Sequence, residues 1–138
     1  MKPSPSRAAA LLPALLLLYG ALSLLHFAHN ARYLAAYPNL PAWLSGAEVW
    51  LSWCGVTLLG VAGFILYRRL HKGAGLTLLG LYAAIGFDGL LHYARAPFGA
   101  HSAMMNFTIW AEVAAAAILL ADLLIIGLTS RAPAAAAT

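Results

Sequence analysis

Charge is what this chain has least of. Only 9% of its 138 residues are Asp, Glu, Lys or Arg, while 63% are hydrophobic; a soluble domain carries roughly a quarter charged residues. So few ionisable side chains cannot cover a water-exposed globule, which excludes a soluble domain and points to lipid as the solvent. Cysteine is nearly absent. Cys54 has no partner within the chain, so no intrachain disulfide can form, and its place in an apolar run makes it a small packing residue. The signatures of soluble catalysis are missing too: there is no phosphate loop, dinucleotide fingerprint, nucleophile elbow or His-Glu-x-x-His stretch. The net charge of +4 comes from Lys and Arg spread along the chain rather than gathered in a stripe, so nucleic acid is not an expected partner.

What the chain does have is long apolar runs. A helix needs about 20 such residues to cross a hydrocarbon core roughly 30 Å thick, and four stretches qualify, at about residues 8–30, 49–67, 73–94 and 103–129. Lipid offers the backbone no hydrogen-bond partners, so each must be helical. The start of the chain resembles a secretory signal, with Lys2 and Arg7 ahead of an Ala/Leu run. That run, residues 8–25, is long for a signal and no small-x-small site follows it, so it is expected to stay as an anchor. The links at 31–48, 68–72 and 95–102 are short, which makes neighbouring helices antiparallel. The expectation is one all-α domain, an integral membrane four-helix bundle running up, down, up and down.

Orientation follows from the cations. With the N-terminus inside, Lys2, Arg7, Arg68, Arg69, Lys72 and Arg131 lie on the cytoplasmic side and only Arg32 and Arg95 opposite. Both termini are therefore expected inside, in a bacterial inner membrane, with Trp43, Trp50 and Trp53 near the outer interface. Gly55, Gly60 and Gly63 on the second span, with Gly75, Gly80, Gly86 and Gly89 on the third, are expected to let helices approach closely. Pro13 is expected to bend the first span, and the Ala-rich tail 132–138 reads as a frayed end.

Ionisable groups inside a span are expensive, and each is a functional candidate by default. On the first span His26, His29, Asn30 and Tyr33 share a face at i, i+3, i+4 and i+7. On the third, Asp88, His92 and Arg95 repeat at i, i+4 and i+7. His101, Met105, Thr108 and Glu112 align on the fourth, if that helix begins early enough to include His101. In the orientation above, all three faces meet in the outer leaflet. Imidazole and carboxylate are ligands that zinc, iron and copper accept, so His26, His29, Asp88, His92, His101 and Glu112 are candidate metal ligands. Asn30, Tyr33, Tyr93, Arg95, Met105 and Thr108 are candidate supporting partners.

Plainer readings exist for several of these. His26 and His29 could belong to an interfacial belt; Asp88 could pair with Arg95 or His92; His101 could be a loop residue ahead of the fourth helix, with Ser102 as its N-cap. Glu112 lies more than two turns inside its span and has no such explanation. Glu48 is accounted for by capping-box spacing from Ser45. His71 belongs with Arg68, Arg69 and Lys72 in a headgroup-facing cluster, and Asp122, about 80° off the Glu112 face, is expected to hydrogen-bond another helix. The sequon at Asn106 begins a span and is not expected to be glycosylated.

Three functions are compatible with this pattern. The first is a transition-metal site serving an enzyme of a lipid-phase substrate or a metal-binding or transfer protein. The second is a b-type cytochrome with haem between His26 or His29 and His92. The third is an accessory or assembly subunit of a larger membrane complex, and a homo-oligomer is also compatible.

Overall fold

A computed structural model describes residues 7–131. Lys2 and the tail 132–138 lie outside the described residues. The chain is helical throughout this range: α1 (Arg7–Arg32), a 3-10 turn (Leu34–Ala36), α2 (Gly46–Arg69), α3 (Lys72–Ile85), a 3-10 turn (Asp88–Leu90), α4 (Leu91–Arg95), a further 3-10 turn (Phe98–Ala100) and α5 (Ala103–Arg131). Four stretches, Arg7–Arg32, Gly46–Arg69, Lys72–Arg95 and Ala103–Ser130, are long and apolar enough to cross a membrane. The expected spans reappear with their ends extended by a few residues, because a helix continues past its last apolar side chain until something caps it.

Packing runs in a ring, with α1 against α2 and α5, and α3 against α2 and α5. Leu12, Tyr19, Leu79, Tyr82, Ala83, Ala116, Leu119 and Ile126 form the buried centre. Apolar side chains also cover the outside: Leu51, Leu58 and Leu128 are each about two-thirds exposed or more. A surface of that kind is stable only in an apolar solvent, which is the composition argument restated in three dimensions.

Two local devices shape the region that matters for function. Ser45 and Glu48 form the expected capping box at the start of α2. The link between α1 and α2 is then strapped down from above: Asn39, at a left-handed φ of 57° that asparagine tolerates, donates from Nδ2 to the Arg95 carbonyl at 2.8 Å.

The third span departs from a single helix. Gly86 and Phe87 donate to the carbonyls of Ala83 and Ala84, and Leu90 to that of Phe87, so the ladder tightens to i→i+3 for more than a turn. Gly86 is required at this point. A Cβ there would lie 2.6 Å from the Tyr19 hydroxyl and 2.7 Å from the Ala116 Cβ, inside the space where α1 and α5 close on the break. The simple i, i+4, i+7 face assumed for Asp88, His92 and Arg95 therefore does not describe this span, although all three still line one chamber.

Candidate functional site

The chamber lies between the C-terminal end of α1, the start of α2 and the broken third apolar stretch, with a volume of about 210 Å³. His26, Asn30, Asp88, His92 and Arg95 supply its polar wall, and Phe27, Leu34, Leu40, Leu44 and Val49 its apolar one. Behind the polar wall stands Glu112 of α5, 1% exposed, with its Oε2 3.7 Å from His26 Nε2. Gly89 lies beside that pair: a Cβ there would stand at ordinary contact distance, 3.8 Å from the His26 nitrogen and 3.9 Å from the Glu112 oxygen.

The His26 tautomer follows from its neighbours. Thr108 donates its hydroxyl proton to the Met105 carbonyl at 3.1 Å, so toward His26 Nδ1, 3.3 Å away, it can only accept. Nδ1 therefore carries the proton and Nε2 the lone pair. The Asn30 amide donates to that lone pair at 3.0 Å. His101 is held the same way, with Nδ1 3.1 Å from the Pro97 carbonyl, so its Nε2 lone pair is also free. Neither His101 Nε2 nor His92 Nδ1 has a hydrogen-bond partner, and both Glu112 oxygens are buried without one. Buried polar atoms are nearly always satisfied, so these four atoms, with Asn30 Oδ1 beside them, ask for partners.

The rings themselves form a chain of edge contacts. His26 meets His92 at 5.6 Å between centroids, His92 meets His101 at 6.1 Å, and Tyr93 flanks His101 at 5.3 Å. Three of the expected imidazoles are thus neighbours. His29 turns the other way, with its Nδ1 2.8 Å from the Tyr37 hydroxyl and its ring against Tyr33. Tyr33 is half exposed, and Tyr93 donates to Asn106 Oδ1 at 2.8 Å. Met105 is buried, with its sulfur accepting the Ser102 N–H. Ser102 in turn accepts from the Met105 N–H at 3.2 Å, the bond of an N-cap serine. His101 is therefore a loop residue preceding α5 and not part of its helical face, and its ring reaches the others from that loop.

Tyr37 is the residue that sequence reading passes over. It is 4% exposed, bonds His29 and packs its ring 4.9 Å from that of His92. Burial pushes its phenol up to about 12, so the hydroxyl stays protonated beside His29. Its only advance signal is an aromatic residue before Pro38 in a link otherwise read as a connector. Ser23, also buried, lies one turn below His26 on α1.

Among the described residues, no three His, Cys, Asp or Glu side chains stand at the spacing of an assembled metal site. Comparison of the chain with protein-family models, with curated proteins and with solved structures finds no match.

Proposed function

We propose that this chain is an integral membrane protein that binds a transition metal ion among His26, His92, His101 and Glu112, with Asp88 on the adjoining chamber wall. The observation that supports it is a set of buried polar atoms without partners: one nitrogen each of His92 and His101 and both oxygens of the Glu112 carboxyl. No three of these side chains stand at metal-site spacing, but two pairwise distances come near it. The 3.7 Å between His26 Nε2 and Glu112 Oε2 is long for a hydrogen bond, yet two ligands at about 2.1 Å from one ion span up to about 4 Å. Two imidazoles on one such ion hold their ring centres roughly 5 Å apart, near the 5.6 Å of His26 and His92.

Loading the site requires movement. The Asn30 amide must release His26 Nε2, and the rings of His92 and His101 must turn toward Glu112, which small rotamer changes about χ1 and χ2 can provide. Thr108 keeps the proton on the far nitrogen of His26, and the Pro97 carbonyl does so for His101, as orienting partners of metal-bound histidine do. When bound, a zinc, iron or copper ion supplies Lewis acidity at this point. A chamber of about 210 Å³ is smaller than the roughly 300–1,000 Å³ of pockets for drug-sized ligands, which favours an ion over a porphyrin.

Topology is part of the proposal. The helices run up, down, up and down with both termini in the cytoplasm of a bacterial inner membrane, so the chamber opens toward the outer face. Elemental analysis of the purified full-length chain tests the metal reading: about one equivalent of zinc, iron or copper is expected, and its loss in a His92→Ala, Glu112→Ala double variant.

A further inference from the structure

The chamber has a continuation. Below it, the seam between α1 and α2 opens into a groove of about 600 Å³, walled by Leu17, Gly20 and Leu24 on one side and Trp53, Gly60 and Phe64 on the other. The Tyr82 ring forms its floor. It fits there because Gly60 has no side chain, since a Cβ would stand 2.9 Å from the ring. The two spaces lie one helical turn apart along the same seam: Phe27 of the chamber follows Leu24 of the groove by three residues on α1, and Val49 of the chamber precedes Trp53 of the groove by four on α2.

Polarity changes abruptly between them. In the groove, Thr57, Trp53 and Tyr82 are the uncharged polar exceptions to an apolar lining, apart from two backbone-permissive glycines. The chamber holds two imidazoles, an amide, a carboxyl and a guanidinium. A molecule with a hydrocarbon tail and one polar head matches both halves. Length agrees too. Residues 13–24 of α1 span about 16 Å at 1.5 Å per residue, room for roughly a dozen extended methylenes.

Arg95 indicates the sign of the head. It lines the chamber, and among the described residues no Asp or Glu is within ion-pair distance of its guanidinium. Guanidinium is the side chain best shaped to take a carboxylate through two parallel hydrogen bonds. Asp88 stands seven residues earlier on the same broken span, and a head held at Arg95 need not meet it.

We propose that the α1–α2 seam binds one long-chain carboxylic acid, its tail in the apolar groove and its carboxylate in the chamber at Arg95. This deepens the metal reading by naming the ligand class presented to the same centre, and it rests on that reading only for what happens at the head.

The test uses the full-length chain in phosphatidylcholine nanodiscs and palmitate carrying a terminal diazirine. After irradiation, adducts should concentrate on residues 13–20 of α1 and 61–65 of α2. Unlabelled palmitate should remove them, while hexadecanol and hexadecyltrimethylammonium should not. Arg95→Gln should weaken palmitate competition about tenfold, the scale of one charge-assisted pair. Ala21→Trp and Val61→Trp, which fill the groove from opposite walls, should each abolish labelling, and Leu58→Trp on the outer face of α2 should not. Adducts spread evenly over outward residues such as Leu58 and Leu128 would show bulk lipid contact and overturn the proposal. Equal competition by hexadecanol would overturn the anionic head, and stronger displacement by dipalmitoylphosphatidylglycerol would replace the free acid with a two-chain phospholipid. Running the series on chelator-stripped protein separates the two readings. Groove labelling in protein that never holds metal sinks the metal site alone, and stoichiometric metal without groove labelling sinks the acid alone.

Discussion

Thr108 shows how one side chain sets the chemistry of another. Its hydroxyl is committed to the Met105 carbonyl, so the oxygen it turns to His26 can only accept, and that choice leaves the lone pair on Nε2 facing Glu112. Thr108→Val keeps the shape and removes the acceptor. Metal affinity in the variant should fall by about 10- to 100-fold, the usual cost of losing an orienting partner, while thermal stability changes little. Titration against a chelator of known affinity measures it. Tyr37 offers a second residue-scale test through pH. Its folded phenol is pushed up to about 12 from an unfolded value near 10, so its contribution to stability is complete below about pH 10 and fades as pH rises toward 12. Wild-type protein should lose more stability across that window than Tyr37→Phe, and thermal melts at pH 9 and pH 11.5 compare them. Parallel curves for the two proteins would remove Tyr37 from the account.

Much of this residue-level detail was legible in the chain, and the remainder has a physical reason for hiding. Glu112 was legible because a carboxyl that deep in an apolar run has few ordinary explanations. His26 and Asn30 were legible because α1 is one uninterrupted helix, where i and i+4 meet. His29 shares that face by spacing, yet Tyr37 intercepts it from the following link. No periodicity argument can see a side chain arriving from a loop, and for the same reason the helical alignment of His101 fails while its ring still reaches His92.

At the scale of elements, the telling feature is the break in the third span. An apolar stretch with two glycines around Phe87 and Asp88 reads as one helix from composition, because nothing in a lipid-facing run forbids it. The tightened ladder at 86–90 depends on what lies opposite: Tyr19 and Ala116 occupy the space that a side chain at 86 would need. Gly86→Ala should therefore force α1 and α5 apart and cost about 1–3 kcal/mol, as overpacking does. A lowered melting temperature with retained helical signal, read by circular dichroism in detergent, is the expected outcome; an unchanged melt would mean the break is not packed as described. The α1–α2 link is the complementary element. Asn39 ties it to the end of α4, which keeps Leu40 and Leu44 over the chamber and Tyr37 against His92.

For the whole molecule, composition alone pointed to lipid as the solvent. The structure agrees in that a chain with so few charges has four helices long and apolar enough to cross a membrane. The proposed orientation makes its own prediction. In a Cys54→Ala background, a cysteine replacing Trp43 should react with a membrane-impermeant maleimide from outside intact cells, and one replacing His71 should react only after permeabilisation. The reverse pattern would invert the topology and place the chamber on the cytoplasmic face.

The proposed function requires an ion held among His26, His92, His101 and Glu112, so metal content decides it. Full-length protein purified without chelator should carry about one equivalent of zinc, iron or copper by inductively coupled plasma mass spectrometry, and the His92→Ala, Glu112→Ala double variant, folded by circular dichroism, should carry essentially none. A folded wild-type protein that stays metal-free after exposure to each ion, or a double variant that retains the same equivalent, would contradict it.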